Sequence, residues 1–399
     1  MSAATTSTSN ELSMWFERAK SAYTVVGDAL KENFIDESGD LKEGIYFGMP
    51  NDVYRSLDAL SSTEVKTFVG SATEYAQQYV FGKERVRTSS QKKTLDTGSL
   101  IHLLTLEPAR FNSEYFRLPT PSEYPDAVHT HEQLNQALSE CGETISEGIK
   151  DKVNRLKRCC PGVSTSGIYN TTDADAALVQ NGLSKSESKL DKGYRLIAHD
   201  KHAVVFDVEV ERLKLSHGAP VVKSIDDEQV TTYGGKVPIA GDIWDSVVKA
   251  AEAARLHNDA RSVLSDGFAE VAMIVRCKLT GLLMKAKFDW LTIWDTATDV
   301  KSTRDTVVKN FKSQVNELHY DIQEQFYTYV AEMLGVAIKQ FTFVAIEFQK
   351  AVNCQPFVLK QARKAQARSV LIDALQSISR RFKDNNWLNN FESPVTLAI

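Results

Sequence analysis

Three consecutive stretches, residues 268–277, 282–291 and 293–302, carry apolar side chains in a period-two pattern. That period marks strands lying with one face against a core. Thr280-Gly281 supplies a turn between the first two. A long amphipathic helix is predicted over about 303–338, followed by a strand over 341–349 and then by Pro356–Gln361, which leads into a basic helix to about 383. The order strand–strand–strand–helix–strand confines this part of the chain to an α/β core with helices laid over a sheet.

The hairpin brings charged residues to one place. Asp289 ends the second stretch, and Asp299 and Lys301 lie on the third, in the pattern D-x9-D-x-K. Carboxylates meeting across neighbouring strands can hold a hard divalent cation. A lysine two residues beyond the second carboxylate shares its strand face. Hydrolysis of a phosphodiester needs an activated water, neutralisation of phosphate charge and help for the departing oxyanion. A carboxylate-held Mg²⁺ lowers the pKa of bound water and acts as a Lewis acid. Lys301 would orient or deprotonate the water, or stabilise the pentavalent oxygens. Taken alone, the triplet also fits two turn aspartates and a solvated lysine.

With 399 residues, 42% hydrophobic and 25% charged, the chain suits one large elaborated domain or two. Its net charge of -5 offers no overall attraction for a polyanion, so a nucleic-acid site must be a local basic surface. No apolar run approaches the roughly 20 residues that span a bilayer. The first dozen residues lack a secretory pattern, so a cytoplasmic location is expected. Five cysteines without a C-x2-C spacing argue against zinc ribbons and iron–sulfur clusters. Gly234-Gly-Lys-Val lacks the spacing of a phosphate-binding loop, which argues against an ATP-driven motor.

Elsewhere, residues 12–33 show helical periodicity and Gly44–Gly48 reads as a short strand. Ser61-x-x-Glu64 is a capping box that opens a helix through about residue 80, and a further helix over 96–107 stops at Pro108. Between 118 and 235 the pattern weakens. Helices are expected at 131–141 and 146–158, then a polar Ser/Asp-rich region interrupted by a strand-like run at 202–213, with no internal repeat evident. Residues 239–265 are helical. The expected division is a tail and helix (1–43), the first part of the catalytic domain (44–117), an insertion or accessory module (118–238) and the catalytic core (239–399).

Lys285–Trp290 together with Thr298–Thr303 resembles the PD-(D/E)XK nuclease core, and more closely the exonuclease VIII (RecE C-terminal) family of phage-type recombination exonucleases. Further segments at 44–68, 97–108, 267–290, 320–327 and 343–359 are similar to that family in the same order. The resemblance implies an α/β fold, a central mixed sheet flanked by helices, with a largely helical insertion. It matches His102, Asp289 and Asp299 to the family's metal ligands and Lys301 to its catalytic lysine. Gln323 and Tyr327 match a helix pair near the catalytic site. Glu270 aligns with an acidic residue that would support the ligands, and Glu347 is a weaker case of the same. Without the resemblance, His102 on an apolar helix reads as a core histidine. Gln323 and Tyr327, one turn apart, could address a phosphate or support Lys301, or be a surface amide and a core aromatic.

Basic residues gather near these elements: Arg304, Lys309 and Lys312 after Lys301; Lys360, Arg363, Lys364 and Arg368 further on; Lys83, Arg85, Arg87, Lys92 and Lys93 before His102. Such residues give phosphate affinity without sequence readout, although each run also fits a solvated helix face. Residues 130–161 are similar to a SAP-like helix–loop–helix DNA-binding module, with Lys150, Lys152, Arg155, Lys157 and Arg158 on its second half. A helical hairpin for oligomer contacts fits equally.

The resemblance implies a Mg²⁺-dependent exodeoxyribonuclease, with Mn²⁺ able to substitute, that degrades one strand of linear double-stranded DNA from its end. It implies 5′-to-3′ polarity, no ATP requirement, a homo-oligomeric ring and a RecT-like single-strand annealing protein as partner in phage-type recombination. The alternatives are a PD-(D/E)XK endonuclease, a single-strand-specific repair nuclease and a catalytically silent DNA-binding protein.

Overall fold

A computed structural model describes residues 14–83, 89–225, 228–349 and 352–387. The chain divides into two compact units, Met1–Phe111 with Ser246–Ile399, and Asn112–Asp245.

The first unit is built on a mixed sheet of seven strands that lie side by side in chain order: β1 (Lys20–Ser21), β2 (Gly44–Phe47), β3 (Gly267–Arg276), β4 (Leu283–Thr292), β5 (Thr296–Thr303), β6 (Gln340–Glu347) and β7 (Asn353–Phe357). The β1/β2 and β5/β6 pairs are parallel and the others antiparallel. Helices of this unit include α1 (Ser62–Gly70), α2 (Ser89–Leu106), α3 (Val308–Glu317), α4 (Tyr320–Met333) and α5 (Gln361–Asp384). A parallel neighbour cannot be reached by a tight turn, so the chain crosses from β5 to β6 through α3 and α4. Val271, Met273, Met284, Ala286, Phe288, Phe341 and Phe343 pack with Phe326 and Val330 of α4 and Leu371 and Leu375 of α5 in one buried cluster. The expected fold class, a mixed sheet flanked by helices, is the one observed.

Several local expectations are corrected. Of the expected helix over 12–33, the described residues 14–33 hold only one helical turn, Trp15–Arg18, followed by β1 and a hairpin of Tyr23–Val26 with Ala29–Glu32. Gly27, at φ +62°, forms the tight turn that a helix reading overlooked. The Ser61/Glu64 capping box is present, but the helix stops at Gly70, because Ser71 is extended (φ -161°) and caps the next turn through its side chain. Pro108 opens a new helix, Pro108–Glu114, where its missing N–H costs nothing. Part of the strand-like run 202–213 is helical, Phe206–His217. Its alternating valines are overridden by packing, with Val208 fully buried. The long helix predicted over 303–338 is two helices, broken where His319 takes φ +50°.

The largest correction lies in the second unit. The polar stretch after residue 160 forms two helices, Thr171–Gln180 and Lys189–His199. They repeat the pair His131–Glu140 and Ile149–Cys159 at an offset of 40 residues (147 to 187). Ala137, Leu138, Gly142, Ser146, Glu147, Asp151, Lys152, Arg155 and Leu156 recur as Ala177, Leu178, Gly182, Ser186, Glu187, Asp191, Lys192, Arg195 and Leu196. Both glycines hold left-handed backbone just past a helix end, φ +77° and +73°. The matches come in ones and twos among diverged positions, which hides the period from a reading of composition.

The two copies lock reciprocally. Arg155 pairs with its own Glu147 and donates to the carbonyls of Ser184 and Lys185, while Arg195 pairs with Glu187 and donates to those of Thr144 and Ile145. Lys152 reaches Asp175 in the other copy and Lys192 reaches Asn135. Each contact has its counterpart 40 residues away, so the pair has pseudo-twofold symmetry. A cavity of about 370 Å³ lies between the copies, lined in part by Glu147, Arg155, Arg158, Glu187, Tyr194 and Arg195.

Candidate active site

The site is built from β3, β4, β5, α1, α2 and α4. On β4, Phe288 and Leu291 both enter the core although they are three residues apart, so the strand's alternation slips at Asp289 and Trp290. The residue opposite Asp289 in the β3/β4 register is Glu270, whose backbone takes φ +57° in mid-strand. A left-handed non-glycine residue costs on the order of 1–3 kcal/mol and persists where the surroundings enforce it. Here it re-aims Glu270 and Asp289 toward His102.

His102 arrives on α2, which runs very close to β5. A Cβ on Gly98, one turn before His102, would lie 2.6 Å from Ser302 Oγ. The imidazole Nε2 stands 2.9 Å from Asp289 Oδ2, and Nδ1 stands 3.7 Å from Glu270 Oε1. Lys287 holds the other Glu270 oxygen at 2.7 Å and is itself anchored on the Met49 carbonyl and Asn51 Oδ1. Asp289 Oδ2 also accepts the Val300 N–H at 2.8 Å.

Asp299, 1% exposed, lies across from Asp289 by extension of the β4/β5 register. Its Oδ1 accepts Gln323 Nε2 at 2.5 Å. Lys301 Nζ pairs with the buried Oδ2 at 2.7 Å. The Gln323 carbonyl oxygen accepts from two ammonium groups, Lys301 and Lys66, each at 3.2 Å. The amide thus faces a carboxylate with its N–H₂ and cations with its oxygen. Lys301 also stands over the Tyr320 ring at 4.6 Å.

Charge couples these groups. Burial opposes ionisation of His102, but Asp289 and Glu270 outweigh it and push its pKa up to about 9. Burial raises Asp299 to about 6, against the pull of Lys301 and with help from Asp289. Asp289 is also buried, yet His102 and Lys301 hold it below the usual carboxylate range. Burial and the neighbouring Lys301 bring Lys66 down to about 8.

This donor set fits a divalent cation. Ligand atoms from His102, Glu270 and Asp289 lie within 4.8 Å of one another, and buried Asp299 lies across from Asp289 with an oxygen that, among the described residues, only Lys301 meets. A carboxylate-rich set with one imidazole suits Mg²⁺ or Mn²⁺. The proton on His102 would be displaced, since imidazole ligates in its neutral form.

The structure brings together His102, Glu270, Asp289, Asp299, Lys301 and Gln323. Tyr327, one turn beyond Gln323, is buried with its ring against Phe288 and Phe341 and feels Asp289 and Asp299 only through their field. Glu347 lies elsewhere and accepts from the Thr306 backbone. Arg304, Lys309 and Lys312 are exposed. Arg363 and Lys364 are instead engaged in ion pairs with Asp321 and Glu324 that tie α5 to α4. Arg87 lies outside the described residues. Sequence reasoning missed Lys66 and Lys287. Lys66 shares a helix face with buried Ser62 and Val65, and a lysine on a buried face was the available signal.

A sheet with flanking helices, presenting a hairpin carboxylate pair and a following lysine, defines a PD-(D/E)XK-like nuclease fold. Residues 225–390 match the family model DUF3799, described as a PDDEXK-like domain of unknown function. No curated protein matches the chain. Among solved structures, one from Eubacterium rectale, provisionally named an exonuclease, is 12% identical with a TM-score of 0.39, covering 85% of this chain and 88% of the other. The structure of SSO0001 is 13% identical with a TM-score of 0.20, covering 62% and 96%. Neither superposition is close enough to carry a residue across. No described helix is long and apolar enough to cross a membrane.

Proposed function

We propose that the chain is a Mg²⁺- or Mn²⁺-dependent exodeoxyribonuclease that degrades one strand of linear duplex DNA. The observation that carries this reading is the convergence of His102, Glu270 and Asp289 ligand atoms within 4.8 Å of one another, beside buried Asp299 and its ion pair with Lys301. His102, Glu270, Asp289 and Asp299 would hold the cation, which supplies Lewis acidity and an acidified water. Lys301, 2.7 Å from Asp299, is placed to give its charge or a proton at the reacting phosphate. Gln323 fixes the rotamers of Asp299 and Lys301 together. Exposed Arg304, Lys309 and Lys312 would follow the phosphate backbone.

The finer reading follows the resemblance to the exonuclease VIII family: 5′-to-3′ polarity without ATP, a ring of identical subunits, a cytoplasmic location and a RecT-like annealing partner. The test compares Mg²⁺-dependent digestion of linear duplex, closed circular duplex and linear duplex with one end blocked. Loss of the linear form alone, from the end carrying an unblocked 5′ strand, is expected. Cutting of closed circles would replace this reading with an endonuclease, and no cutting with either metal would leave a silent DNA-binding protein.

A further inference from the structure

We infer that Lys66 is a second phosphate-binding lysine of the site, forming with Lys301 a two-ammonium clamp on the scissile phosphate. The inference rests on the nuclease reading and adds a residue that neither the hairpin pattern nor the metal set includes. Lys66 Nζ donates to Gln323 Oε1 at 3.2 Å, the same oxygen that takes Lys301. Both ammonium groups stand over the Tyr320 ring, at 5.7 and 4.6 Å.

Their partners differ. Lys301 has Asp299 at 2.7 Å, Lys287 has Glu270 at 2.7 Å and His102 has Asp289 at 2.9 Å. Among the described residues no carboxylate lies within ion-pair distance of Lys66. A half-buried cation whose only described hydrogen-bond acceptor is a neutral amide oxygen, itself shared with another cation, is poorly compensated. The Tyr320 ring and the field of Asp299 offset the cost of its burial only in part. An anionic oxygen brought by a substrate would complete its coordination, and the two non-bridging oxygens of one phosphate suit two ammonium groups converging on a common acceptor. No bond is made or broken by Lys66. It holds charge that grows on the phosphate as the nucleophile adds.

The test pairs cleavage with binding. Single-turnover cleavage of linear duplex with Mg²⁺ is compared for wild type, Lys66→Gln and Lys66→Arg, with Mn²⁺ affinity measured by calorimetry. Binding of the same duplex is followed by fluorescence anisotropy in EDTA across a salt series. Lys66→Gln is expected to slow cleavage about 100-fold, with Lys66→Arg recovering much of the loss and Mn²⁺ affinity unchanged. The slope of log affinity against log salt should become shallower by about 0.9 in Lys66→Gln. An unchanged rate and slope overturn the inference, as does equal loss of Mn²⁺ binding, which would make Lys66 a support for the metal site. If wild type cuts nothing yet Lys66→Gln flattens the salt slope, the nuclease reading falls and the phosphate site stands.

Discussion

Both units bury ionised side chains, and they do so to opposite ends. In Asn112–Asp245, Lys152, Arg155, Lys192 and Arg195 are each no more than 8% exposed, and every one is met by carboxylates or carbonyls. The pattern is closed, and the arginine contacts of one repeat are echoed in the other. In the sheet unit, Asp299 is as deeply buried, but His102, Glu270, Asp289 and Lys301 around it are partly exposed, and Lys66 has no described carboxylate. A closed network sets shape, because its partners are all supplied by the chain. An open one keeps places for a cation and an anion that the chain lacks. Residues 112–245 also hold 15 basic against 21 acidic residues, leaving 32 against 31 for the rest. Bulk charge therefore gives the repeat unit no overall attraction for DNA.

The sharpest way to break this comparison is Asp299→Asn. Digestion of linear duplex should fall by about three orders of magnitude or more, while thermal stability measured without metal holds or rises. The sign follows from the raised pKa of about 6. Stability from the protonated form is complete below the unfolded carboxyl value and lost as pH rises through 6, so at neutral pH the charge opposes folding. A clear fall in melting temperature would place Asp299 with the closed networks.

Arg155→Met and Arg195→Met should each cost about 3–5 kcal/mol in denaturant unfolding of the second unit, because each strands a buried glutamate. The pseudo-twofold arrangement predicts near-equal losses. A loss under about 1 kcal/mol in either would show that the interlock does not hold the repeats together.

Mg²⁺ or Mn²⁺ at about 100 times its dissociation constant should stabilise the sheet unit by about 2.7 kcal/mol, reversed by EDTA. The shift should vanish in Asp289→Asn, and its persistence there would move the metal off this site.

Asp191 gives the smallest effect. Its burial raises the pKa, but Ser188 and Arg158 more than offset this and hold it below the ordinary value. Its stabilisation is therefore present above the unfolded carboxyl pKa and lost as pH falls through the lower folded one. Asp191→Asn should flatten the acid limb of the stability curve measured by circular dichroism, and an unchanged limb would remove Asp191 from the network.

Period two over 268–303 was enough to place β3, β4 and β5, and the spacing of Asp289, Asp299 and Lys301 anticipated their meeting across β4 and β5, since strand geometry is local and repeats every second residue. The repeat at 130–200 escaped because its copies share few residues, and the meaning of the charged ones appears only when one copy reaches into the other. The sequence alone thus determined the hairpin, its carboxylates and its lysine. Tertiary structure decided which distant residues complete them: His102 from α2, Gln323 from α4 and Lys66 from α1. Side chains on separate elements share no periodicity, and only packing of the helices on the sheet makes them neighbours.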